Sequence, residues 1–100
     1  MPNEQETILQ EADRLVAGDR QRSYGHPFHD FTRTALMWSA LIGAPVTAKQ
    51  VALCMVALKL SRECNHHKRD NLVDAAGYAK CAMLVEEYHQ TTVAQPDSIG

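Results

Sequence analysis

Apolar positions recur at helical spacing in four segments of this chain. The first runs from about Glu4 to Ala17, where Ile8, Leu9, Ala12, Leu15 and Val16 make one stripe. Asn3, with Glu6 three residues on, is placed to cap it, and Gly18 to end it. The second runs from about His29 or Asp30 to Ile42, with Phe31, Ala35, Trp38 and Ile42 on one face and Gly43-Ala44-Pro45 as the stop. Thr47 and Gln50 have the spacing of a capping box, so a third helix starts there and reaches about Cys64. Its run Val51 to Leu58 is apolar on every side, which suits the centre of a bundle or the inside of an oligomer. A polar turn, Asn65 to Arg69, precedes a fourth helix capped by Asp70 or Asn71 and reaching about Gln90. No segment alternates with the period of a strand. Short turns favour antiparallel neighbours, so the expected fold is all-α, an antiparallel four-helix bundle, with residues 1–92 as one domain and 93–100 as a flexible tail.

One connection does not fit a small bundle. Gly18 to Phe28 is eleven residues long and holds Arg20, Arg22, Tyr24, His26 and Pro27. It reads either as a cover whose Tyr24 and Phe28 plug the bundle end, or as a functional loop. Composition adds little chemistry: of 100 residues 45% are hydrophobic and 22% charged, with a net charge of −2, so no broad basic field draws the chain to nucleic acid. The longest apolar run is eight residues, short of the roughly twenty a membrane span needs. The N-terminus lacks the basic and apolar regions of a secretory signal. Cys54, Cys64 and Cys81 form no Cys-x-x-Cys, and Cys54 and Cys81 read as small core residues of a cytoplasmic protein.

The informative feature is where the two most apolar helices turn polar. Lys59 and Arg62 are three apart on the third helix; Asp70, Asp74 and Tyr78 share one face of the fourth, with Asn71 beside Asp74. In an antiparallel hairpin about His66-His67, Lys59 lies across from Asp74, and Arg62 across from Asn71 and Asp70. Charges brought together on largely apolar helices must pair with one another or with a ligand. One reading is a salt-bridge cluster that sets the hairpin register. The other is a pocket in which Lys59, Arg62 and Arg69 meet phosphate and Asp74 and Asn71 orient them or read a polar edge. His66 and His67 read as a solvated turn, His26 and His29 as hydrogen-bonding side chains, His89 as a surface residue and Trp38 as core. No nucleophile elbow, Gly-rich phosphate loop or His-Glu-x-x-His is present.

Tyr24-Gly25-His26-Pro27, then Phe31 and Trp38, then Val51 to Arg62, then Arg69-Asp70-Asn71-Leu72-Val73-Asp74-Ala75-Ala76-Gly77-Tyr78-Ala79, resemble a family of short uncharacterised bacteriophage proteins. The resemblance covers roughly residues 10 to 90. That family distantly resembles the MazG-like all-α nucleoside triphosphate pyrophosphohydrolases and phage nucleotide-modification domains. This implies a four-helix core, dimers or tetramers, and Mg²⁺ held by paired carboxylates on two helices. Here Lys59 and Arg62 stand where the first acidic pair belongs, and only Asp70, Asp74 and Glu63 remain as candidate catalytic or metal-binding carboxylates. Repulsion between those cations and Mg²⁺ disfavours the usual cluster.

The resulting expectation is a nucleotide-binding protein with little or no hydrolysis and no favoured cofactor. Its candidate ligand residues are Arg20, Tyr24, His26, Lys59, Arg62, Arg69, Asn71, Asp74 and Tyr78. The alternatives are a Mg²⁺-dependent pyrophosphohydrolase and a structural bundle that only makes protein contacts. A phosphorylated small molecule and further copies of the chain are the expected partners; a membrane or nucleic acid is not.

Overall fold

A computed structural model describes residues 5–93, and among them the chain is helical with no strand. Helix α1 spans Ile8–Leu15 and continues through a π-helical turn, Val16–Arg20, into the short α2, Gln21–Tyr24. Helices α3 (Pro27–Ile42), α4 (Ala48–Asn65) and α5 (Arg69–Val93) follow. The expected four long helices are present, while residues 94–100, most of the expected tail, lie outside the described residues.

Local chemistry sets the boundaries. Asn3 lies outside the described residues; α1 is capped instead by Thr7, whose hydroxyl accepts from the Gln10 N–H at 3.0 Å while the Gln10 side chain accepts from the Thr7 N–H at 2.8 Å. The same reciprocal box, Thr47 with Gln50, opens α4 as expected. Helix α3 starts earlier than its apolar stripe suggests. His26 caps it through Nδ1, which accepts from the Phe28 N–H at 3.0 Å, and Pro27 occupies the first turn, where no N–H is needed. Gly43, at φ 81°, ends α3 in the left-handed conformation. The turn to α4 is held by Ser39, whose Oγ accepts from the Val46 N–H at 2.8 Å and donates to the Ala35 carbonyl at 2.7 Å.

Gly18 does not end the first helix. The backbone passes through it in a π turn, so most of the anticipated loop is helical. A π turn inserts one residue into the helix and rotates the side chains that follow. Here it carries Arg20 onto the α3–α5 side.

The centre of the fold is α5, against which α1, α3 and α4 all pack, with α4–α5 the most extensive pairing. Of the two places expected for the all-round apolar helix, the centre of the bundle is therefore taken by α5 instead. α5 carries small buried residues, Ala75, Gly77, Cys81 and Ala82, which let helices approach it from several sides. A Cβ on Gly77 would stand 3.4 Å from Val16 Cγ2. The main core joins Val16, Phe31, Ala35, Val51, Ala52, Cys81, Ala82 and Val85, with Phe28, Trp38 and Tyr78 packed against it. On α4 only Val51 and Ala52 are buried; Leu53, Cys54, Leu58 and Leu60 face outward. Cys54 is therefore not a core residue, whereas Cys81 is.

Candidate functional site

The α4–α5 hairpin has the register expected from its sequence. Lys59 Nζ lies 2.9 Å from Asp74 Oδ2, with side chains 17% and 28% exposed. The turn that sets this register is organised by Glu63. Its Oε1 accepts from the Lys68 N–H at 3.0 Å and from Asn71 Nδ2 at 3.2 Å, and its other oxygen meets the His67 ring. These donors, His67 first, hold the Glu63 carboxyl down at about 2. Asn71, the one buried polar side chain among the described residues, also donates to the His66 carbonyl at 3.4 Å. Asn71 and Glu63 thus act on the turn rather than line a pocket.

Asp70 sits one helical turn before Asp74. The charge of Asp74, then partial burial, raises the Asp70 carboxyl above its ordinary range, while Lys59 pulls the other way. The three candidate carboxylates are therefore divided, Asp70 and Asp74 together and Glu63 in the turn. Among the described residues no three His, Cys, Asp or Glu side chains converge as metal ligands.

Asp74 also borders a cavity of about 180 Å³ between the first helical segment and α5. Ala12, Leu15, Val16 and Arg20 form one wall, and Val73, Asp74, Gly77, Tyr78 and Cys81 the other. The Arg20 guanidinium lies 5.1 Å from the Tyr24 ring, 5.3 Å from Phe31 and 5.1 Å from Tyr78, and reaches Asp30 at 3.3 Å. A guanidinium held against aromatic faces is a flat, polar-edged stack. Burial raises the Cys81 thiol and keeps it neutral, despite the nearby Arg20 charge.

The structure therefore brings Arg20, Tyr78 and Asp74 to one cavity, with Lys59 on Asp74 and Tyr24 on Arg20. It separates the others. Arg69 pairs with Glu11 and donates to the Glu6 carbonyl at 2.9 Å, tying the start of α1 to the start of α5. His26 belongs to an aromatic group with Phe28, His29 and Tyr88, where burial lowers its basicity. His29 meets the Tyr88 hydroxyl at 3.3 Å, so both histidines are hydrogen-bonded side chains, as read from the sequence. Arg62 is exposed and makes no ion pair among the described residues. Sequence reasoning missed Phe31, Asp30, Gly77 and Cys81 as companions of the site. Phe31 and Cys81 lie on apolar stripes, and no local spacing couples Arg20 to Asp30.

The chain matches the family model described as "Domain of unknown function (DUF6378)" over residues 7–86. It is 37% identical over 83 residues to the "Gene 55 protein" of Mycobacterium phage D29, covering 82% of this chain and 55% of that protein. Its identity to the "Gene 55 protein" of Mycobacterium phage L5 is 36% over 75 residues, 73% of this chain and 48% of that protein. The chain thus spans about half the length of these curated relatives. No solved structure matches it significantly, and no helix of the described residues is long and apolar enough to cross a membrane.

Proposed function

The chain belongs to the DUF6378 family, and for it we propose the binding of a phosphorylated nucleotide, with little or no hydrolysis, in the cleft between the first helical segment and α5. One observation carries this reading: Arg20, whose guanidinium lies against the Tyr24, Phe31 and Tyr78 rings, lines the same cavity as Asp74, which pairs with Lys59 and neighbours Asp70. The stack offers a flat surface to a base. Asp74 and Asp70 accept from base N–H groups or ribose hydroxyls. Lys59, released from Asp74, and Arg62, three residues on and exposed, supply cations for phosphate. Arg69, His26 and Asn71 do not line this cavity and are engaged elsewhere, so the reading does not use them.

Weak hydrolysis follows from electrostatics. The Lys59 ammonium occupies the carboxylate that a divalent cation would use, so Mg²⁺ would have to displace a tethered charge. Shared ancestry with MazG-like pyrophosphohydrolases is part of the proposal. It is supported by the antiparallel α4–α5 hairpin, in which Asn71 and Asp74 keep the spacing of the second acidic motif, while Lys59 and Arg62 depart from the first. Action in the host-cell cytoplasm, and as a dimer or tetramer, completes the reading.

The experiment incubates the protein with NTPs and dNTPs, with and without Mg²⁺ or Mn²⁺. It measures retained nucleotide by equilibrium dialysis and released pyrophosphate. Binding without release, weakened in Arg20→Ala, is expected. Metal-dependent release that Asp74→Ala abolishes would instead establish the pyrophosphohydrolase, and neither binding nor release would leave a structural bundle.

A further inference from the structure

The outer faces of α3 and α4 are built for contact rather than for water. On α3, Leu36, Met37 and Leu41 are 68%, 66% and 86% exposed, and Ile42 at the helix end is 64% exposed. On α4, Leu53, Leu58 and Leu60 are 48%, 38% and 46% exposed. Helical spacing puts Leu36, Met37, Ala40 and Leu41 on one stripe, and Leu53, Ala57 and Leu60 on another. The two helices are neighbours, and both stripes lie opposite the faces that pack into the core.

Charge is nearly missing from this region. Between Arg33 and Lys59 the only charged residue is Lys49. Lys49 is directed to Glu86 of α5 at 3.3 Å, and Lys59 is turned inward onto Asp74. The molecule measures 53 × 32 × 19 Å. Its thinnest dimension is about two helix diameters, so among the described residues no further layer stands over these faces.

The exposures of the five large side chains on these stripes, Leu36, Met37, Leu41, Leu53 and Leu60, add to a little over three whole side chains. That corresponds to on the order of 500 Å² of apolar surface. At the usual apolar share of an interface, a patch centred on it would cover about 800 Å² per partner, the size of a standard stable interface. A two-fold contact needs one self-complementary surface, and a patch with charge only at its edge, such as the exposed Arg33, meets its own copy with little like-charge repulsion.

We propose that the α3–α4 outer face is the surface on which a second copy of this chain docks. The inference rests on the oligomeric part of the proposed function and is independent of nucleotide binding. It leaves the cleft walls of α1 and α5 accessible in each copy.

Sedimentation equilibrium of the full chain, across a range of concentrations, tests it. The wild type is expected at a multiple of 11.1 kDa. Leu41→Glu and Leu53→Glu are each expected to weaken association at least tenfold while keeping helical circular dichroism. Met83→Glu, on an exposed position of α5, is expected to leave it unchanged. A readout without substitution is maleimide labelling of Cys54, which lies exposed on the α4 face. Its rate is expected to fall as protein concentration rises. A wild type of 11.1 kDa at every concentration would overturn both the proposal and the oligomeric reading, leaving the face to a different partner. An oligomer that persists in Leu41→Glu and Leu53→Glu, with unprotected Cys54, would overturn this face alone.

Discussion

Replacing Lys59 by Met removes the ammonium that neutralises Asp74 and leaves two carboxylates one helical turn apart. At 2.9 Å the Lys59–Asp74 attraction is about 6 kcal/mol for an effective dielectric of about 20. Most of that offsets the desolvation of both groups and the roughly 2 kcal/mol of rotamer entropy a fixed lysine loses. The double replacement Lys59→Met with Asp74→Leu is therefore expected to fall within about 1 kcal/mol of wild type. The single replacement leaves Asp74 uncompensated; because both side chains keep some water contact, its cost is about 1–3 kcal/mol rather than the larger loss of a fully buried pair. Asp70 gives the effect a pH signature. Its carboxyl is raised above the ordinary range by Asp74, and Lys59 opposes that rise. A carboxyl whose folded value is raised contributes stability at low pH that is lost as pH rises through that value. Without Lys59 the rise is larger, so the Lys59→Met deficit is greatest near neutral pH and shrinks as the solution is made mildly acidic. Urea unfolding of the four members of the mutant cycle, at neutral and mildly acidic pH, measures both terms. A single-mutant cost below about 0.3 kcal/mol, or one that does not change with pH, refutes the reasoning that these groups form one charged cluster.

Three further outcomes follow from the structure. Ser39→Ala strips the Val46 N–H of its partner at the α3–α4 turn and is expected to cost about 1–2 kcal/mol by chemical denaturation. At Gly77 the 3.4 Å approach to Val16 leaves room for little more than a methyl group. Gly77→Ala is therefore expected within about 1 kcal/mol of wild type and Gly77→Leu to cost more than about 2 kcal/mol, both read as melting temperatures. Glu63 is held at about 2 against an ordinary 4.5, so it stabilises the fold at neutral pH, and that contribution is lost as pH falls from about 4.5 towards 2. Acid titration of Glu63→Gln, followed by circular dichroism, is expected to show a shallower loss over that window than wild type.

Helical spacing and capping boxes made much of this architecture readable, and the reasons lie in particular residues. Thr47 with Gln50 marks the start of α4 because the box is satisfied within four residues. The Lys59–Asp74 pair is legible because an antiparallel hairpin with a short turn has few registers. The π turn is not legible: Gly18 ordinarily stops a helix, and what carries the chain through is the packing of Val16 and Arg20 against α5 and α3. Apolar content alone does not tell a helix at the bundle centre from one that faces outward. α5 lies deepest through its small residues, whereas the leucines of α4 turn outward. Arg69 and Asn71 were read as ligand groups, yet the partners that claim them, Glu11 and the Glu63 turn, are fixed by tertiary packing and by a capping geometry that their spacing does not reveal.

Thermal denaturation in the presence of nucleotides probes the cleft most directly. A ligand present at a hundred times its dissociation constant adds about 2.7 kcal/mol, which for a domain this small raises the melting temperature by about 10 °C or more. At least one phosphorylated nucleotide is expected to produce such a rise in wild type and to lose most of it in Arg20→Ala. A melting temperature that no nucleotide moves, or one that moves equally in both proteins, contradicts the assignment of this cavity.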